Sequence, residues 1–357
     1  MRVCAVLSSL CAVAVLSVSG ATPDEVLIAA VERGNEARVS AALAKGASVH
    51  ACARTGESAI VLAGLRGRTM IARLLASKGA RLNVPDQSGM TPLMAAARRN
   101  HLETYRALVN LGASPSVTGP GGATVLHCAV ESGGTAMVSE VLQSRAVDID
   151  GRGEDGNTAL MIAAALDHAD IVKALLGANA MVNALNPREY NSNALLRALR
   201  ERYRRESASA QPAAGDTAAA RPGPGTAGPV RQGPAMGILP GSHGRTILLL
   251  LQGGTDLDHV TKDGCTALIL AVEHGDLPLL ELLLAERLDV NLPGARGETA
   301  LIAAVKTGRA AVVEMLLNAG ANVQVKSGEG ADAIDYAQKM DRKDLVKLLR
   351  EGRRKAR

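Results

Sequence analysis

The sequence predicts an all-α fold, a solenoid of helix-turn-helix modules joined by hairpin-like β-turn loops. Three observations carry that expectation. A Gly-x-Thr entry recurs as Gly89-Met90-Thr91, Gly122-Ala123-Thr124, Gly156-Asn157-Thr158, Gly264-Cys265-Thr266 and Gly297-Glu298-Thr299, at steps of 33 or 34 residues between adjacent copies. A Leu-Leu ending follows in phase, at Leu74-Leu75, Leu175-Leu176 and Leu316-Leu317. The chain has 357 residues but no Phe, no Trp and 1% aromatic residues, whereas a single core of that size ordinarily uses aromatic bulk. A fixed period of this length describes stacked modules, each too thin to bury its own apolar side.

Each element of a unit has a local reason. Thr91 is placed to cap a helix, its hydroxyl accepting from an unpaired N–H of the first turn. Pro92 follows at the first helical position, where a missing N–H is without consequence. Leu93, Ala96 and Ala97 give a short helix with a small-residue face that a neighbour can approach closely. A second helix is expected over Leu102–Asn110, with Tyr105, Leu108, Val109 and Leu111 on its buried side. Gly112 ends it, since glycine tolerates positive φ. Nine units begin near Asp24, Arg54, Asp86, Gly119, Gly153, Pro187, Thr261, Gly294 and Ser327, within an array spanning 22–357. The first lacks the Gly-x-Thr entry and the last reads Gly330-Ala331-Asp332-Ala333-Ile334. Both read as caps that shield the end faces. Among these entries only Thr91 is followed by Pro, and Ser58 and Asn193 stand in place of Thr.

The first residues differ in kind. Arg2 precedes an apolar run, Val3 to Val18, and small residues Ser19, Gly20 and Ala21 follow. A charged start, a short apolar centre and a small-residue exit describe a secretory signal peptide over 1–21, cleaved after Gly20 or Ala21. An uncleaved anchor is the alternative, although the run is shorter than the roughly 20 residues a bilayer span needs. Lipidation at Cys11 is a further alternative, with Ser9-Leu10 a poor lipobox. Cys52, Cys128 and Cys265 remain beyond this segment, in non-adjacent units. Helices packed about 8–10 Å apart do not bring such thiols within the roughly 4.4–6.8 Å between Cα atoms that a disulfide requires. Cys128 is expected to be a buried thiol. Cys52 and Cys265 fall in extended turns, open to an intermolecular bond in an oxidising compartment.

The sixth unit is interrupted. Its first helix is expected from Ser192 to about Arg205 and its second over Gly244–Gln252. Between them, 206–243 is rich in Ala, Pro, Gly and Ser and reads as a disordered loop. It is either a tolerated insertion, since lengthening a surface loop costs little, or a tether or partner-binding segment. The same unit carries Arg197, Arg200, Arg202, Arg204 and Arg205, with Arg197, Arg200 and Arg204 close to one face. Another basic run, Arg350 to Arg357, lies at the far end. These runs read as solvated surface or as contacts to an anionic surface.

Chemistry is not legible. There is no phosphate-cradling Gly-rich loop after a strand, no Cys-x-x-Cys and no His-Glu-x-x-His. The carboxylates form no spaced pair, and no nucleophile, base and oxyanion site can be assembled. The reading is therefore of a protein that is not an enzyme, with no cofactor, no metal and no small-molecule substrate. The net charge of +5 is mild for this length and does not argue for nucleic acid.

Thr-Pro-Leu with Leu-Leu-x-x-Gly-Ala at this period strongly resembles the ankyrin repeat, and the resemblance covers Asp24 to about Leu349. It implies that His127, in the Leu126-His127 position, ties modules together through backbone hydrogen bonds. It also implies structural roles for His101 and His168 in the short turns between helices. Ankyrin stacks present turn tips and first helices on a concave face where a protein partner sits. Carried over position by position, the contact strip is Arg54, Thr55, Glu57 and Arg66; Gln87, Ser88, Met90, Arg98 and Arg99; Glu131 and Ser132; Glu154, Asp155 and Asn157; Lys262, Asp263, Glu273 and His274; and Arg296, Glu298, Lys306 and Thr307. The expectation is an exported bacterial protein-interaction scaffold, periplasmic or secreted, with an unidentified protein partner. The alternatives are an envelope-structural protein attaching to membrane or polyanion through its basic helix and tail, and a host-directed effector.

Overall fold

A computed structural model of the chain describes residues 21–209 and 243–355. The signal-peptide segment, Ala21 apart, and most of the 206–243 insertion lie outside the described residues. Among the described residues there are eighteen α-helices. In chain order they are α1 Pro23–Arg33, α2 Glu36–Ala44, α3 Ala59–Leu65, α4 Thr69–Ser77, α5 Pro92–Arg98, α6 Leu102–Asn110, α7 Val125–Glu131, α8 Thr135–Gln143 and α9 Ala159–Leu166. There follow α10 Ala169–Gly177, α11 Ala194–Ser209, α12 Gly244–Gln252, α13 Ala267–His274, α14 Leu277–Ala285, α15 Ala300–Thr307, α16 Ala310–Asn318, α17 Ala333–Lys339 and α18 Lys343–Lys355.

The odd-numbered helices pack on one another from α1 to α17, and the even-numbered helices lie behind them. The odd helices are short and almost wholly buried: Ala159 through Ala165 of α9 are all covered. Capping is what starts them. The hydroxyls of Thr91, Thr124, Thr158, Thr266 and Thr299 each accept from the N–H three residues on. Asn193 does the same for Leu196 at 2.9 Å. Ser58 makes no such bond. The first unit also has a Thr-Pro start: Thr22 closes a capping box with Glu25, and Pro23 opens α1. Thr91 is thus not alone in that pattern.

Each entry turn closes on itself, as where the Asp86 N–H donates to the Met90 carbonyl at 3.0 Å and the Gly153 N–H to that of Asn157 at 2.9 Å. Glycine completes the turn in the left-handed region, for instance Gly89 at φ +80°. Isolated antiparallel bridges, Cys52 with Ser58 and Asn186 with Ser192, are the only β pairing among the described residues.

Two ladders join successive modules. In one, the residue opening an even helix reaches back one module to a carbonyl: His101 to Leu65 at 3.2 Å, His243 to Ala165 at 3.0 Å and Arg309 to Val272 at 3.4 Å. In the other, an Asn or Asp beyond the even helix accepts from the next module's backbone, as Asp150 from Met181 at 2.8 Å and Asn291 from Asn322 at 2.6 Å. Periodicity had a signal for the second ladder, an apolar residue followed by Asn or Asp at Leu82-Asn83, Ile149-Asp150, Val182-Asn183, Leu257-Asp258 and Val290-Asn291.

Two expectations are corrected. Val109 and Leu111 are exposed, at 37% and 38%. The buried arc of α6 runs through Thr104, Tyr105, Ala107 and Leu108, so Val109 is rotated off it and Leu111 lies past the helix end. The first helix of the sixth unit continues to Ser209 rather than stopping near Arg205, and the Arg202–Glu206 pair at 3.1 Å bridges the expected end.

Candidate protein-binding surface

The entry turns and odd helices bring part of the expected strip into one groove. It spans the third to fifth modules, with a volume of about 450 Å³. Turn residues Ser88, Met90, Pro120, Glu154 and Asp155 form its edge, and Met94, Arg98, His127, Cys128, Glu131 and Ile162 come from α5, α7 and α9. Six of the expected contact residues meet there: Ser88, Met90, Arg98, Glu131, Glu154 and Asp155. Arg98 lies against the Met90 sulfur at 3.8 Å. The Glu131 and Glu154 carboxylates have no hydrogen-bond or ion-pair partner among the described residues.

His127 is fixed beneath this groove. Its Nδ1 meets the Thr124 hydroxyl at 2.8 Å and its Nε2 meets the Asn157 carbonyl at 3.1 Å. Cys128 is buried, and burial pushes its thiol up to about 12. Cys128 and Ile162 each stand four residues after a capping threonine and keep 8% exposure where their neighbours are near zero. They are floor residues that the sequence reading did not select, although that register marks them.

Asn157 is not a contact residue. It is 1% exposed, and its groups are consumed between modules. Its amide donates to Asp155, its Oδ1 accepts from the Asn186 amide at 2.7 Å and its carbonyl accepts from His127.

Elsewhere the strip is divided. Arg54, Arg66, Gln87, Arg99 and Lys262 are exposed, and Ser132 and Thr307 turn their hydroxyls back to the carbonyls of Ala129 and Ala304. Thr55 bonds Glu57. Arg296 gives its carbonyl to the Gly328 N–H. Lys306 pairs with Glu298 at 2.5 Å and sits over the Tyr336 ring at 4.5 Å.

In the seventh module the strip is met in cis. Arg200 of α11 holds Asp263 at 2.8 Å. The Tyr203 ring stacks on His274 with centroids 3.9 Å apart and planes 8° apart. Arg202 pairs with Asp276 at 2.8 Å, both side chains nearly buried, at 4% and 7% exposure. Glu273 remains exposed. The other arginines of this helix are also matched, Arg197 with Glu189 and both Arg204 and Arg205 with Glu201. Each guanidinium of this helix has a carboxylate in reach, and Arg204 and Arg205 remain exposed, so the run is a solvated surface whose charge is matched within the chain.

Cys52 is exposed and Cys265 half-buried. Burial pushes the Cys265 thiol up to about 11. Among the described residues no group of three or more His, Cys, Asp or Glu is placed to hold a metal, and no helix is long and apolar enough to cross a membrane.

A family model described as "Ankyrin repeats (3 copies)" matches residues 27–119, 111–186 and 241–327, more than half of the chain. The chain belongs to the ankyrin repeat family. Ankyrin repeats mediate protein–protein interaction, and ankyrin proteins are typically non-catalytic scaffolds. No curated protein matches the chain.

Proposed function

We propose that this ankyrin protein is a non-catalytic scaffold that holds a polypeptide partner on the face formed by its odd helices and entry turns. The observation that carries the reading is the groove across the third to fifth modules, where exposed charged side chains meet an apolar floor. Arginine and methionine are effective anchors at interfaces, and Arg98 with Met90 supplies both. Crosslinking in the native compartment followed by mass spectrometry tests it. The expected result is a specific partner crosslinked to the turns at 86–90 and 119–123, and lost in the Arg98→Ala, Arg99→Ala double variant. A partner retained by that variant would sink the reading.

We also propose that the protein is exported, on the strength of the charged, apolar and small-residue sequence of 1–21. The mass of the mature protein tests this, with loss of the first 20 or 21 residues expected.

Attachment to an anionic surface has one supporting observation. Lys343, Lys347, Arg350 and Arg354 line one side of α18. Binding through that strip would weaken steeply with added salt, whereas binding through the groove would persist.

A further inference from the structure

We infer that the groove across the third to fifth modules selects a partner segment carrying a lysine or arginine beside an apolar side chain, with the cation received by Glu131 and Glu154. This rests on the reading of the odd-helix face as the binding surface, and it names the chemistry of the occupant.

The first argument is charge. The groove is lined by three carboxylates, Glu131, Glu154 and Asp155, against the single guanidinium of Arg98. Asp155 is partly satisfied by the Asn157 side chain and backbone N–H. The Glu131 and Glu154 carboxylates make no hydrogen bond or ion pair within the described residues, although the Arg188 guanidinium donates to the Glu154 backbone carbonyl. The second argument is position. Glu131 is the last residue of α7, where the helix dipole is negative and disfavours a carboxylate. At that position the helices α5, α15 and α17 instead carry Arg98, Lys306 and Lys339, while α13 repeats the carboxylate as Glu273 and follows it with His274. A carboxylate kept at an unfavourable helix end, sharing the groove with Arg98 but making no ion pair with it, is relieved further by a cation from outside. The third argument is shape. Met90, Met94 and Ile162 line the same groove, and thioethers adapt to varied apolar side chains. A partner cation therefore arrives next to an apolar seat. Charge-assisted hydrogen bonds then supply orientation.

The test is selection of a displayed library of random dodecapeptides on the intact protein. Enriched peptides are then measured by fluorescence anisotropy on wild type, on Glu131→Gln, Glu154→Gln and on Arg98→Ala, Arg99→Ala. The expected winners carry Lys or Arg next to an aliphatic or aromatic residue. Neutralising that peptide cation, or the two glutamates, weakens binding about tenfold or more. Glu131→Gln alone raises the Tm of the free protein, so weakened binding there is not a folding defect. Winners without a cation, or binding undiminished in the glutamate variant, would overturn the inference. If such cation-free peptides are lost in the arginine variant, the scaffold reading stands while the inference falls. Enrichment of no peptide at all counts against both.

Discussion

Gly67 lies in the turn between α3 and α4 at φ +65°, and a Cβ there would stand 2.8 Å from the His101 ring. Gly79 follows α4 at φ +87° with open space around it. An L residue in the left-handed region costs about 1–2 kcal/mol at either place. Only at Gly67 must it also displace the imidazole that bonds the Leu65 carbonyl. Gly67→Ala is expected to lower the urea midpoint further than Gly79→Ala, and equal losses would show that the close approach does not matter. His168 occupies the equivalent place over Gly133. Burial holds its imidazole below the ordinary histidine value of 6.5. The unfolded chain therefore takes up a proton before the folded one does. The stabilisation is complete above 6.5 and is lost as pH falls toward the depressed folded value. Chemical denaturation across that interval should show a shallower decline in His168→Gln than in wild type. These histidines were legible in the sequence because they sit at fixed offsets in the repeat. Asn157 was not. Met90, Ala123, Cys265 and Glu298 hold the same offset, and what buries Asn157 is Asn186, one module away. A linear pattern does not show that neighbour.

At the scale of the element, α11 stands apart. It has 16 residues where the other odd helices have 7 to 11. Its extra turn is held by the next module. Asp276 caps α14 by accepting from the Leu279 N–H at 3.2 Å, and it also takes the Arg202 guanidinium and the Tyr203 hydroxyl. Removing one partner of a nearly buried pair leaves the other charge poorly matched. Arg202→Ala is expected to cost about 3 kcal/mol. Arg204→Ala, with a side chain 75% exposed, is expected to cost about 0.5 kcal/mol or less. Urea titration of both variants decides it, and equal losses would contradict the packing described here. The start of the second helix at Gly244 was legible from composition alone. The end of the first was not. The Ala- and Pro-rich stretch marks where a helix must stop, while the Arg202–Glu206 pair, one turn apart at 3.1 Å, carries the helix past Arg205, and Arg202 is itself fixed by Asp276, more than sixty residues on.

Over the whole molecule, stability is passed between neighbours, so the ends matter more than their size suggests. Leu345 and Leu349 of α18 are fully buried, and α18 packs on α16 and α17. Truncation after Met340 removes that cover and forfeits roughly 3–6 kcal/mol of apolar burial. The expected outcome is a lower Tm and concentration-dependent association in light scattering; an unchanged monomer would refute the capping role. The repeat period made this architecture legible before any coordinates, because thin layers need identical chemistry at each step. The groove was only half legible: its rim follows the period, and its floor depends on which small or flexible side chain each layer places inward. The same sparing use of large rings has an optical consequence. With no Phe and no Trp, near-ultraviolet absorbance rests on four phenols at three stations along the stack. Tyr105 sits in the third module with its hydroxyl unpartnered among the described residues. Tyr190, exposed, and Tyr203, stacked on His274, report the sixth. Tyr336, bonded to Glu329 at 3.0 Å, reports the ninth. Melting that begins at one end and travels to the other is therefore written in the native spectrum, and each front can be timed without attaching a dye.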